Sequence, residues 1–89
     1  MNELEYRITL FAQLIAGMAN AITGYILSDH SARVIANNII TGTGHHIVVV
    51  HTLCYMDRED AITINKMAKT LWTMIKHTDV SLLKDGYNG

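Results

Sequence analysis

The sequence contains no proline and a single cysteine, Cys54, among its 89 residues. A lone cysteine excludes a disulfide bond within the chain. The absence of proline removes the residue that most often ends or kinks a helix. Glu3 and Glu5 occupy positions where a secretory signal would be basic, so we expect a cytoplasmic protein.

Charged residues are also scarce, at 17% of the chain against 49% hydrophobic residues. An average soluble domain carries about 25% charged residues. The formal net charge of −1 gives no general attraction to duplex nucleic acid. We expect residues 1–89 to form a single small domain. Chains of this size bury only about 60–65% of their unfolded surface, and without disulfides many rely on oligomerisation.

Residues 3–28 are predicted to form one long helix. Apolar side chains recur there at alternating steps of four and three, which is typical of one buried stripe on a helix. The predicted buried stripe consists of Leu4, Ile8, Phe11, Ile15, Met18, Ile22 and either Tyr25 or Ile26.

A second face of this helix carries small or neutral polar residues and no charge. Such a face suits close packing against another helix, so it is the predicted oligomer interface. Two alternatives remain open, namely burial of this face within the monomer and a membrane span over residues 8–27, an uncharged run long enough to cross a bilayer. The predicted interface residues are Gln13, Gly17, Asn20, Ala21 and Gly24.

The middle of the chain allows two interpretations. Residues 32–41 favour a short second helix, with Ser31 as its N-cap and Gly42 at its end. The alternative is a strand over 33–41 that turns back into a hairpin. Residues 47–50 are β-branched and apolar, which predicts one buried strand or hairpin around 45–55. The predicted class is therefore mainly α, of the α+β type, and the alternative is an all-α four-helix bundle.

The C-terminal part is predicted to form an amphipathic helix over Asp57–His77. Acidic residues lie at its start and basic residues at its end, as the helix dipole favours. Its predicted buried stripe consists of Ala61, Ile64, Ala68, Leu71, Ile75 and Thr78, widened by Met67.

The basic side of this helix is the predicted partner-binding surface, and the segment flanked by His45, His46 and His51 is the alternative. Trp72 lies at the edge of the basic stripe, and aromatic residues beside basic ones are enriched in binding hot spots. The alternative for Trp72, which we favour, is packing at the edge of the core. The predicted partner-binding residues are Lys66, Lys69, Trp72 and Lys76.

No motif with a catalytic mechanism is recognisable, so we expect neither an enzyme nor a cofactor. His45, His46 and His51 lack the spacing of a metal-binding motif, and we expect no metal site. Cys54 and His51 would need an orienting third group to act as nucleophile and base, and the sequence supplies none.

The sequence therefore predicts a non-enzymatic protein-interaction or regulatory module that acts as a soluble homo-oligomer and binds a protein partner. The hypothesis extends to an inhibitor of a host factor or defence system, of the type found in phages and mobile elements. One alternative is a small integral membrane protein anchored by residues 8–27. Another is a small-ligand-binding protein whose pocket lies at an oligomer interface and uses Asn20, Arg33, Asn37 and the histidines.

Overall fold

The computed structural model describes residues 2–42 and 57–83. Within these ranges the chain forms the helices α1 (Glu3–Thr23), α2 (Asp29–Thr41) and α3 (Arg58–His77), and a helical turn over 80–83. The mainly helical class is confirmed, and these two ranges contain no strand. The strand or hairpin predicted around 45–55 lies outside the described residues.

Helix α1 ends earlier than the sequence pattern predicts. Gly24 follows its last residue with φ 74°, in the left-handed region, and its N–H donates to the carbonyl of Asn20 at 2.8 Å. Glycine adopts this backbone conformation without the steric cost that a side chain brings. The prediction of one continuous helix over 3–28 is therefore wrong at its C-terminal end, because Gly24 caps α1.

Helix α2 begins at Asp29 and not after Ser31. The side chain of Ser28 accepts a hydrogen bond from the Ser31 N–H at 3.1 Å, so Ser28 is the N-cap. Gly42 ends the helix with φ 68°, as predicted. The alternative of a strand over 33–41 is wrong, and so is any hairpin built from it. Caps at both ends and an apolar face with helical spacing stabilise the helix instead.

The core lies where α1 packs against both other helices. Arg7 of α1 reaches Ile75 of α3, and the Phe11 ring lies 5.1 Å from the Trp72 ring between centroids. Both contacts pair the start of α1 with the end of α3, so the two helices run antiparallel. The core consists mainly of Phe11, Ile15, Ala19, Leu27, Ala32, Ile35, Ala36, Ile64, Ala68 and Ile75.

Only the middle of the predicted stripe on α1 is buried. Phe11 and Ile15 are fully buried, whereas Leu4, Ile22 and Tyr25 are exposed and Ile26 is 80% exposed. The prediction fails at both ends because the crossing helices cover the centre of α1 and because residues 25 and 26 lie beyond its end. The pattern also misses the buried residues Arg7, Leu10, Ala12 and Ala19.

Helix α3 follows its prediction closely. Ala61, Ile64, Ala68 and Ile75 are buried, and Leu71 and Thr78 are half-buried. Met67 was expected to widen this buried stripe, but it is exposed, whereas Asn65 is buried at 2% exposure. The centre of the buried stripe is therefore turned away from Met67 and towards Asn65.

Candidate interaction surfaces on α1 and α3

The predicted interface residues lie on one side of α1 and at its C-terminal cap, and all five are exposed. We call this surface the uncharged face: Gln13, Gly17, Asn20, Ala21 and Gly24. Neither α2 nor α3 buries it, because both helices pack mainly around Phe11 and Ile15, although Gln13 also borders the small cleft between α1 and α2. The alternative that this face is buried within the monomer is therefore contradicted by the described residues.

Gly17 has no structural explanation within the described part of the chain. It lies inside α1, and a Cβ built on it would have no described heavy atom within 4 Å beyond its own helical backbone and chain neighbours. Glycine inside a helix is less stable than alanine by about 0.5–1 kcal/mol. The space above Gly17 would admit the backbone of another helix.

Gly24 differs from Gly17, because the fold itself explains it. Its positive φ and its hydrogen bond to Asn20 make it the C-cap of α1. Thr23 supports the same turn, since its hydroxyl donates to the Ala19 carbonyl at 2.6 Å and accepts from the Tyr25 N–H at 3.1 Å. Gly24 is exposed beside the uncharged face, but a close contact with another helix is not needed to account for this glycine.

The cap at Gly24 also bears on residues 8–27, because it divides this uncharged run between α1 and the connection to α2. In residues 2–42 and 57–83, no helix has the combination of length and apolarity that a membrane span requires.

An open apolar groove runs between α1 and α3, with a volume of about 410 Å³. Met67 and Met74 are 44% and 61% exposed within it. Leu14 and Ile22 lie one turn to either side of Met18 on α1, so they extend the apolar wall. We call this feature the α1–α3 groove, and it is lined by Met18, Lys66, Met67, Thr70, Leu71 and Met74.

The predicted partner-binding residues do not form one patch. Lys66 lines the α1–α3 groove, whereas Trp72 is half-buried and packs against Phe11. Lys69 is exposed, and Lys76 lines a different cleft near the end of α3. The structure thus places Trp72 at the core edge. It also reveals the apolar groove beside Lys66, which the helical periodicity does not identify because the groove needs both helices.

That second cleft, of about 350 Å³, is organised by internal contacts. Arg7 is only 9% exposed, and its guanidinium donates to the Ile75 carbonyl and, at 2.9 Å, to the Glu3 carboxylate. A cation near the last carbonyls of a helix also interacts favourably with the helix dipole. The cleft is lined by Glu3, Arg7, Lys76, His77, Thr78, Asp79 and Val80.

Asp79 in this cleft caps the helical turn that follows α3. Its carboxylate accepts from the Ser81 hydroxyl at 2.7 Å and from the Ser81 N–H at 2.8 Å. These hydrogen bonds, with a smaller contribution from the positive charge of Arg7, hold the pKa of Asp79 below its ordinary value. Glu3, Arg7 and Asp79 therefore form the contacts that hold α1, α3 and the final turn together.

Arg33, which the small-ligand hypothesis uses, lies at a small cleft of the described monomer. A cleft between α1 and α2 has a volume of about 90 Å³, and Arg33 at its edge donates to the Thr9 hydroxyl at 3.0 Å. Typical ligand pockets measure about 300–1,000 Å³. Asn20 and Asn37, which the ligand hypothesis also uses, are not among the residues that line this cleft.

Across residues 2–42 and 57–83, no three histidine, cysteine or acidic side chains are grouped as a metal site would require. His45, His46, His51 and Cys54 lie outside these ranges. No protein-family model, curated protein or solved structure matches this chain. Its function is therefore inferred from the uncharged face.

Proposed function

We propose that this protein is a non-enzymatic protein-interaction module that assembles as a homo-oligomer through the uncharged face of α1. The observation that carries the proposal is an exposed helix face without charge. No charged residue occurs between Arg7 and Asp29, although Gln13, Gly17 and Asn20 are all exposed. A helix face in contact with water typically carries charged residues, and the exposed side of α3 does so.

Gly17 supports a helix-to-helix contact. The uncharged face keeps a glycine at its centre that the described part of the chain does not require. The absence of a side chain lets a second backbone approach closely, which would offset the cost of glycine within α1.

The two amides of the uncharged face suit a two-fold symmetric pair. Gln13 and Asn20 lie on either side of Gly17 along the same strip of α1. In an antiparallel pair of α1 helices centred on Gly17, Gln13 of one copy would approach Asn20 of the other, and the reverse. Such self-complementary contacts are the rule in symmetric dimers, and they would satisfy both amides on burial.

A regulatory role, including inhibition of a host factor or defence system, remains a prediction, because no described contact points to a target. The cytoplasmic location likewise remains a prediction. The proposal here concerns self-association and the surface that produces it.

Sedimentation velocity or light scattering of the full chain across a dilution series tests the proposal. We expect the wild type to be a dimer or larger. Asn20→Lys places a charge in the contact and should weaken association by at least about tenfold, because an unpaired buried charge is costly. Thr73→Lys is the matched control, since it adds the same charge at an exposed position of α3.

A wild-type protein that is monomeric at high concentration would disprove the proposal. Equal weakening by Asn20→Lys and Thr73→Lys would also contradict it, because the effect would then come from total charge and not from the uncharged face. Circular dichroism of each variant establishes that the helices are retained.

A further inference from the structure

The small cleft between α1 and α2 adjoins the uncharged face, because Gln13 belongs to both. Its volume of about 90 Å³ lies well below the range of about 300–1,000 Å³ that is typical of small-molecule pockets. A cleft of this size suits a single side chain that reaches in from a surface packed against α1. We call this feature the α1–α2 cleft, and it is lined by Thr9, Ala12, Gln13, Asp29, Ala32 and Arg33.

Two opposite charges line the α1–α2 cleft without pairing with each other. Asp29 and Arg33 are one turn apart on α2, and both are exposed. In the described part of the chain, neither of them forms an ion pair. Arg33 instead donates one N–H to the Thr9 hydroxyl at 3.0 Å. This hydrogen bond holds the guanidinium against α1 and leaves its other N–H groups for a further acceptor.

This arrangement of charges matches a carboxamide. An ionised carboxylate such as that of Asp29 only accepts hydrogen bonds, and the guanidinium of Arg33 only donates them. An amide side chain has an oxygen that accepts and an NH₂ group that donates, so it can bond to both groups at once. A carboxylate ligand would be repelled by Asp29, and an ammonium ligand by Arg33. The cleft therefore favours the side chain of an asparagine or a glutamine.

We infer that the α1–α2 cleft of one copy receives the Asn20 side chain of a second copy. The inference rests on the proposed assembly through the uncharged face. Gln13 and Asn20 are seven residues apart, about two turns, so they lie on the same side of α1. In an antiparallel pair centred on Gly17, Asn20 of one helix lies within about 1.5 Å of the level of Gln13 of the other, measured along the axis. The Asn20 carbonyl then accepts from Arg33, and its NH₂ group donates to Asp29.

This contact gives the pair its register. Small uncharged residues allow two helices to approach, but they allow several registers equally well. A polar group that is satisfied in one register only selects that register and disfavours other partners. Asn20 and Arg33 are thus specificity-determining residues of self-association, whereas Gly17 provides the space for it.

A double-mutant cycle on the full chain tests the contact, with dimer dissociation constants from sedimentation equilibrium. We expect Asn20→Ala and Arg33→Met each to weaken dimerisation by about tenfold or more, because the two-fold axis repeats the contact. The double variant should lose much less than a further tenfold, since both substitutions remove the same contact. Arg58→Met is the matched control at an exposed arginine outside the cleft, and should change the constant by less than about twofold.

A charge exchange separates a direct contact from a general loss of structure. Asn20→Asp brings a second carboxylate to Asp29 and should weaken dimerisation by at least about tenfold. Adding Asp29→Asn should restore much of the affinity, because the substituted amide can donate to the new carboxylate beside Arg33. In the dilute monomer, Arg33→Met removes only an exposed hydrogen bond, so its helices and its urea denaturation should change little.

Three results would overturn the inference. These are additive effects of Asn20→Ala and Arg33→Met, equal weakening by Arg33→Met and Arg58→Met, and the absence of rescue by Asp29→Asn. If the wild type still dimerises in these cases and Asn20→Lys weakens it, the uncharged face remains the interface and only the assigned contact is wrong. A wild type that stays monomeric at high concentration would remove both proposals.

Discussion

Arg7 joins the beginning of α1 to the end of α3 through a single buried side chain. Its guanidinium donates to the main-chain carbonyl of Ile75 and to Glu3, which lies one turn earlier on α1. In the sequence, Arg7 looks like a flanking charge at the edge of an uncharged run. Its role in the joint depends on where α3 passes, and no local pattern in α1 contains that information.

Replacing this arginine should destabilise the fold. Arg7→Met retains much of the side-chain volume but removes the charged donor to the Ile75 carbonyl, which keeps only the Thr78 N–H at 3.3 Å. Hydrogen bonds to charged groups contribute about 1.5–3 kcal/mol. We expect the free energy of unfolding to fall by about 2 kcal/mol, measured by urea denaturation at constant protein concentration.

Two conservative controls separate the stability lost with the buried Arg7 contact from the effect of removing a surface charge. Glu3→Gln removes the exposed half of the ion pair and should cost less than about 0.5 kcal/mol, because surface salt bridges contribute little. Arg33→Met removes an exposed hydrogen bond to Thr9 and should have a similarly small effect. If Arg7→Met changes stability no more than these controls do, Arg7 does not stabilise the joint.

At the scale of the elements, the ends of the helices depend on single capping residues. Ser28 and Gly42 bracket α2, and Gly24 terminates α1. The spacing of apolar residues establishes that α1 and α3 are helices, but it continues smoothly past Gly24 and so misplaces the end of α1. Small residues suit both a helix contact and a cap, and only the observed backbone angle distinguishes the two.

The two glycines of α1 should therefore respond oppositely to alanine. Gly24→Ala forces a side chain into the left-handed region and should destabilise the protein by about 1 kcal/mol. Gly17→Ala adds helix propensity where the described chain leaves open space, and should stabilise the dilute monomer by about 0.5–1 kcal/mol.

Urea denaturation at a protein concentration too low for association measures both effects. Gly17→Ala should at the same time weaken association in sedimentation experiments, since its methyl group would occupy the space of the approaching helix. A loss of stability in Gly17→Ala, or a gain in Gly24→Ala, would contradict the assigned roles.

At the scale of the whole molecule, stability and assembly should be linked. If the native chain associates through the uncharged face, mass action makes thermal stability depend on protein concentration. We expect the wild-type melting temperature to rise by several degrees across a roughly hundredfold increase in concentration, and that of Asn20→Lys to stay nearly constant. Circular dichroism melting curves at matched concentrations measure this, and a concentration-independent wild type would contradict it.

The amino-acid sequence by itself determined the helical class of the described residues, the extent of α3, the end of α2 at Gly42 and the basic side of α3. These features follow from helical periodicity, capping preferences and charge placement, which act over a few neighbouring residues. Each is encoded within the segment that adopts it, so the sequence of that segment suffices to predict it.

Only the tertiary structure decided which apolar residues of α1 are covered, why Arg7 is buried and where Trp72 lies. It also created the α1–α3 groove, whose walls come from helices separated by the length of α2 and its connections. The physical reason is that burial depends on where helices cross. An apolar stripe specifies a side of a helix, and the crossing point specifies which part of that side is removed from water.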